Sequence, residues 1–87
     1  MQTSLNPDEA RRFAQWLEDE TGQLMENLNN VKGDLEALSS TWNDKQYHEF
    51  LAQFFESSEN LNYFSTMAEV YSEYLRSIAN LADDYLD

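Results

Sequence analysis

Ser39-Ser40-Thr41-Trp42-Asn43-Asp44, in the middle of an 87-residue chain, decides the fold. Serine and threonine hydroxyls compete with helical geometry for backbone hydrogen bonds. Asn43 tolerates a left-handed conformation, and Asp44 suits the cap of a following helix. The stretch predicts a break at about 40–44. It matters because turn formers are otherwise scarce: the whole chain has one proline and two glycines.

Upstream of the break, Asn6-Pro7-Asp8-Glu9 reads as a helix start. The Asn6 side chain can accept from free amides of the first turn, and Pro7 takes the first helical position, where no N–H is needed. Glu9 sits where a capping box places it. Asp8 and Glu9 also suit the positive end of the helix dipole. Alternating steps of four and three then visit Ala10, Ala14, Leu17, Thr21, Leu24, Leu28, Val31, Leu35, Leu38 and Trp42, nine of the ten apolar. Downstream, the same walk visits Tyr47, Phe50, Phe54, Ser57, Leu61, Phe64, Ala68, Tyr71, Leu75, Ile78, Ala82 and Tyr85, eleven of the twelve apolar. Twenty hits in 22, where a 41% hydrophobic composition predicts about nine, is a heptad signal.

No period-two run competes, so strands are not expected. The fold class read from the sequence is all-α, a single helical-hairpin domain over residues 1–87. It has a helix at about 7–40, a turn at about 40–44 and a helix at about 45–85. Each helix spans roughly 50–60 Å, and helices of that length on a short connector form an antiparallel two-helix hairpin. The alternative, one continuous helix in a parallel coiled coil, conflicts with the small polar cluster at mid-chain.

Apolar residues also lie beside this seam. Phe13, Trp16 and Met25 flank it on the first helix. On the second, Tyr63, Met67, Val70, Tyr74 and Leu81 form a further four-and-three stripe, and Leu51 and Phe55 lie off the seam nearer the turn. A helix with two adjacent apolar stripes needs two neighbours, and exposed stripes this long would make a large adhesive patch on a monomer. Phe13, Trp16, Met25, Tyr63, Met67, Val70, Tyr74 and Leu81 are therefore read as a dimer or partner interface. Two similar hairpins, forming a homodimer or a heterodimer, would pair into a four-helix bundle. A monomer that uses the face only with a larger partner stays open. Gly22 and Gly33, eleven residues apart, share a face of the first helix. They read either as a close-approach groove for another helix or as tolerated glycines on a solvated face.

Charge narrows the partners. Seventeen acidic and five basic side chains give −12, divided as −5 over residues 1–43 and −7 over residues 44–87. An even spread marks solvated helix faces rather than an acidic tail. Nucleic acid and anionic membrane surfaces carry the same sign and are not expected as partners. No apolar run approaches the ~18 residues of a membrane span, so no membrane insertion is expected. Pairing of two strongly negative protomers should tighten as salt screens their repulsion. Met1-Gln2-Thr3-Ser4 lacks the basic-then-apolar opening of a signal peptide. The location stays open between secretion without a cleavable signal peptide and the cytoplasm. Without cysteine there is no disulfide framework, thiolate zinc site or thiol nucleophile.

Catalytic chemistry is not indicated. His48, the one histidine, lies just past the turn, and no Glu or Asp precedes it by three as a di-iron bundle needs. It reads as a surface residue. The chain lacks a glycine-rich phosphate loop, a His-Glu-x-x-His helix and an EF-hand calcium loop. Asp83, Asp84 and Asp87 read as a solvated helix end rather than a cation site. The aromatic residues of the second helix, at helical spacing, read as core and interface rather than a stacking platform. No enzyme, metal or cofactor is expected, and function should reside in a protein-binding surface.

The turn resembles a family motif as well. Trp42-Asn43-Asp44-Lys45-Gln46-Tyr47-His48-Glu49-Phe50 is similar to the signature of the WXG family, short ESAT-like helical hairpins associated with type VII secretion. That signature has Trp in the turn, Gly two further, a small residue two beyond that, and an aromatic four later. Trp42 and Phe50 match in type and spacing, whereas Asp44 stands where the family has Gly and Gln46 where it has a small residue. Asp44 can still end one helix and cap the next. Leu5-Asn6-Pro7-Asp8-Glu9-Ala10-Arg11-Arg12 also looks like the start of the family's first helix.

The resemblance extends over essentially the whole chain in length, acidity and lack of cysteine. It implies a non-enzymatic secretion substrate, or the carrier that pairs with one, working through protein–protein contacts. Trp42, Asp44 and Phe50 would form the turn motif, with secretion machinery as a further partner. The family's mycobacterial export signal, Tyr followed four residues later by Asp or Glu, is not met. Tyr71 is followed by Leu75, Tyr74 by Ile78, and Tyr85 runs off the end. Two other functions stay open: an intracellular helical adaptor that is not exported, and an acidic mimic of nucleic acid. The mimic would need its carboxylates aligned on one face, and the sequence spreads them around both helices.

Overall fold

The computed structural model describes residues 6–86, with side chains through Tyr85, and these residues form two helices and no strand. Helix α1 runs Pro7–Ser39 and helix α2 runs Lys45–Leu86. They lie antiparallel in a rod of 63 × 22 × 14 Å. The hairpin is one helix thick and two helices wide.

Local side-chain chemistry sets the ends. Asn6 Oδ1 accepts from the backbone N–H of Asp8 (3.0 Å) and of Glu9 (3.2 Å), with Pro7 in the first turn. At the far end of α1 the hydroxyls of Ser39, Ser40 and Thr41 donate to the carbonyls of Glu36 (2.6 Å), Ala37 (2.8 Å) and Leu38 (3.2 Å). The amides of Thr41 and Trp42 also bond to Leu38 O, at 2.9 and 2.8 Å. The polar cluster thus ends the helix by satisfying carbonyls that have no partner within it. No described residue has a positive φ, so Asn43 does not use the left-handed conformation its sequence allows. Hydroxyl capping makes the turn without it.

The seam between the helices differs from the heptad walk on both helices: Leu24, Val31 and Leu38 of α1 are exposed, and one of the two rows on α2 is displaced. The row Tyr47, Phe54, Leu61, Ala68, Leu75 and Ala82 does face α1, buried or half-buried throughout. The second row is Leu51, Ser58, Ser65, Ser72 and Ala79, one residue on from the expected Phe50, Ser57, Phe64, Tyr71 and Ile78. Ser72 and Ala79 are 0% exposed, while Phe50, Phe64 and Tyr71 are about half exposed, at 54%, 48% and 49%. The reason is steric. Opposite this row α1 presents Ala10, Ala14 and Thr21, all buried, and small residues on both sides let the backbones approach. The approach is close enough for the Ser72 hydroxyl to donate to the Ala14 carbonyl at 3.3 Å. Aromatic rings do not fit in such a gap and lie beside it. Trp42, which also fell on the walk, is 63% exposed.

The resulting core is thin. Its buried cluster is Ala10, Ala14, Leu75 and Ala79, with Ile78 packed against it. Alanine buries little apolar area, so each contact contributes little to hydrophobic stabilisation. The chain exposes 6916 Å², against the ~5,300 Å² typical of a compact folded monomer of its mass. Most of its large apolar side chains remain outside the hairpin core.

Gly22 and Gly33 are unconstrained by packing. A Cβ built on either would meet nothing within 4 Å, so neither marks a close approach within the hairpin.

Candidate protein-binding face and turn

In an antiparallel pair, rows on the same side of the two seams come together on one broad face of the hairpin. From α1, Leu17, Leu24, Val31 and Leu38 follow one another at sevenfold spacing beside the buried or half-buried row Ala14, Thr21, Leu28 and Leu35, with Phe13 next to them. From α2, the displaced row Phe50, Phe64, Tyr71 and Ile78 lies on the same side, followed outward by Met67, Tyr74 and Leu81. A groove lined by Trp16, Leu17, Leu24 and Phe64 joins the two helices there. The rings of Phe13 and Trp16 lie 5.5 Å apart, and those of Tyr71 and Tyr74 stack at 6.1 Å with 26° between planes. Both pairs are separated by three residues, one helical turn, which aligns their rings along the face.

Most of the interface residues named from the sequence gather here. Phe13, Trp16, Met67, Tyr74 and Leu81 occupy the face, and Tyr63 and Val70 follow its outer margin along α2. All seven are exposed. Met25 is placed apart: it is half-buried on the opposite broad face, in a groove with Leu28, Phe54, Phe55 and Lys32. Leu24, Val31, Leu38, Phe50, Phe64 and Tyr71 join the face, although the heptad walk assigned them to the seam. The signal that separates them is the run Ser58, Ser65, Ser72 and Ala79 at sevenfold spacing, which marks where the backbones close.

The opposite broad face carries the polar links between the helices. Arg76 donates to both carboxylate oxygens of Glu18, and its Nη2 also donates to Gln15 Oε1 at 3.3 Å. Arg11 donates to Asp83 and to Asn80 Oδ1, the latter at 2.9 Å. The Arg76 hydrogen bond holds the Glu18 carboxyl below its ordinary range, with partial desolvation opposing and the guanidinium charge assisting. The same hydrogen bond raises Arg76. These links are half exposed and fix register more than they add stability.

The turn is built around Asp44. Its Oδ1 accepts from the Tyr47 amide at 2.9 Å and caps α2, while its Oδ2 accepts from the indole Nε1–H of Trp42 at 3.1 Å. The Tyr47 hydroxyl reaches back to the Leu35 carbonyl at 2.9 Å and ties the two helices together below the turn. One carboxylate therefore caps a helix and orients an otherwise exposed indole, which a glycine at this position could not do. Phe50 lies one turn beyond Tyr47 on the apolar face. His48 is exposed, its ring edge-on to Tyr47 at 5.4 Å. Among the described residues no three His, Asp or Glu side chains converge as metal ligands, and no helix is long and apolar enough to cross a membrane.

Comparison with known proteins gives a consistent result. The family described as proteins of 100 residues with WXG, WXG100, matches residues 2–84. Crystal structures of the secreted protein EsxB from Bacillus anthracis strain Sterne share the fold. The selenomethionine form is 21% identical, with a TM-score of 0.83 over 100% of this chain and 99% of that one. One single-substitution mutant is 23% identical with a TM-score of 0.82 over 95% and 99%. Another is 24% identical with a TM-score of 0.76 over 92% of each. No curated protein matches the chain.

Proposed function

This chain belongs to the WXG100 family, and from that premise we propose that it is a non-enzymatic binding hairpin of type VII secretion. It acts as a small exported substrate or as the carrier that pairs with one. The observation that carries this reading is the apolar broad face, with Phe64, Met67, Tyr71 and Tyr74 about half exposed beside Leu24 and Val31. The broad side of the rod that carries this face is 63 by 22 Å, large enough to hold the ~800 Å² per partner of a standard stable interface. Placed against a second hairpin it completes a four-helix bundle. Trp42, held by Asp44 at the tip and left exposed, is the recognition element presented to the export machinery.

Sedimentation should give a mass near twice that of the chain when the pairing hairpin is present. In the native host, Trp42→Ala should abolish appearance of the protein in culture supernatant while leaving the paired form helical. Wild-type protein confined to the cell pellet would reject the export role. One observation favours a second reading, a hairpin that pairs inside the cell and is not exported. Tyr71 and Tyr74 are followed four residues on by Leu75 and Ile78 rather than an acidic residue.

A further inference from the structure

The two broad faces differ in charge as well as in polarity, and that difference bears on what covers the apolar one. All five basic side chains lie outside its rows: Arg11, Lys32 and Arg76 on the opposite face, Arg12 and Lys45 behind it. The acids are not segregated in this way. Glu20 and Asp34 lie on α1 among the outward rows of the apolar face, and Glu56 and Asp84 lie along its α2 margin, all exposed. None of these four has a basic partner among the ion pairs of the described residues, which join Arg11 to Asp8 and Asp83, Lys45 to Glu49, and Arg76 to Glu18.

We propose that the occupant of this face is not a second copy of the chain but a different hairpin whose apolar stripe is bordered by lysine and arginine. A two-fold pairing of identical chains brings the same border against itself, turned end for end or not. Either way it sets uncompensated carboxylates against carboxylates, with no cation on the face to separate them. Like charges at an interface border disfavour the wrong partner, and opposite charges steer the right one. The inference rests on the reading that the apolar face pairs hairpins, and adds the chemistry of the partner.

The test makes a surrogate partner from the chain itself. Glu20→Lys, Asp34→Lys and Glu56→Lys are combined in one full-length variant, all at exposed positions, with helicity checked by circular dichroism. A control carries Glu26→Lys, Glu36→Lys and Glu59→Lys, the same change in net charge placed outside the apolar face. Wild-type chain is mixed with each, and self and mixed association are measured by sedimentation at low and high salt. The expected result is mixed pairing with the first variant at least about tenfold tighter than wild-type self-pairing at low salt. The preference should fade toward 1 M salt, where the screening length is about 3 Å, and the control should show a much smaller preference. Wild-type self-pairing as tight as the mixed pair, or equal preference for the control, would overturn the basic-bordered partner while leaving pairing through this face intact. Absence of both self and mixed association at every salt concentration would overturn the pairing reading itself, and this inference with it.

Discussion

On one broad face of the hairpin Arg76 holds Glu18 and Gln15, and Arg11 holds Asp83 and Asn80, across the seam. On the other, no polar link joins the helices among the described residues, and Leu24, Val31, Phe64 and Tyr71 lie open to solvent. The same pair of helices thus has one side whose cross-seam polar groups are satisfied within the chain and one side whose large apolar groups are mostly left open. Burial explains the asymmetry. A buried seam of alanines and serines supplies close approach and register but little apolar area, so most of the area available for stabilisation lies where only another molecule can cover it. A charge or a methyl group should therefore have different consequences on the two faces.

The largest effect is expected from a charge at the middle of the open face. Met67→Glu should weaken pairing by about 100-fold or more, ~3 kcal/mol, because an unpaired carboxylate would be desolvated there. Asn29→Glu, the same charge on the satisfied face, should change the dissociation constant by about twofold or less. Equal losses from the two, measured by sedimentation or calorimetric titration, would remove the distinction between the faces.

Next in size is the seam that separates them. Ala14 is 0% exposed and lies under the Ser72 hydroxyl. Ala14→Leu inserts three carbons where the backbones meet, and should cost about 2 kcal/mol, roughly 10 °C in Tm. Ile78→Val, beside the cluster rather than in the gap, should cost about 1 kcal/mol. A tolerated Ala14→Leu would mean that the helices are not held together by small residues.

A smaller effect, of opposite sign, belongs to the satisfied face. Gly22 lies beside Glu18, Ser65 and Glu69, and a methyl group there meets nothing within 4 Å. Gly22→Ala should raise stability by about 1 kcal/mol through helix propensity alone, with pairing unchanged. Lost affinity on this substitution would show that a partner approaches this face too.

The hairpin and its turn were legible because their causes are local: Asn6-Pro7 at one end of α1, hydroxyls at the other, Asp44 before α2. The row Tyr47, Phe54, Leu61, Ala68, Leu75 and Ala82 was legible because its members are apolar and buried alike. The other α2 row was misread because apolarity outranks size in a heptad walk. Phe50, Phe64 and Tyr71 score as core, and Ser58, Ser65 and Ser72 do not. Which row faces the neighbouring helix depends on what stands opposite, here Ala10, Ala14 and Thr21, and that information lies 58 residues away between Ala14 and Ser72. Once the row shifts by one position, the six displaced large residues on the two helices fall beside Phe13, Trp16, Met67, Tyr74 and Leu81 and widen the face. Met25 falls outside it. The bond between the Trp42 indole and Asp44 was not legible, since a cap and an indole partner look the same in sequence.

The smallest effect expected is at the Arg76–Glu18 link, where the sign depends on pH. Arg76 depresses the Glu18 carboxyl below its ordinary range. A depressed acid contributes stability that is fully present above its unfolded value of about 4.3 and is lost as pH falls through the folded value. Acidification also neutralises other carboxylates and relieves the repulsion of a chain carrying −12, so the wild-type profile alone mixes two opposing trends. Comparison with Glu18→Gln separates them, because repulsion elsewhere is common to both chains. Wild type should melt slightly above the variant at pH 7, and the difference should shrink as pH falls from about 5 toward 3. The expected gap at neutral pH is below those of the other substitutions, since about a third of each side chain is exposed and the pair is screened by solvent. A gap that persists at pH 3 would assign the effect to the second acceptor oxygen that Glu18→Gln removes, rather than to charge, because the two side chains share the same stem. The link would then be held by hydrogen-bond geometry and not by ions.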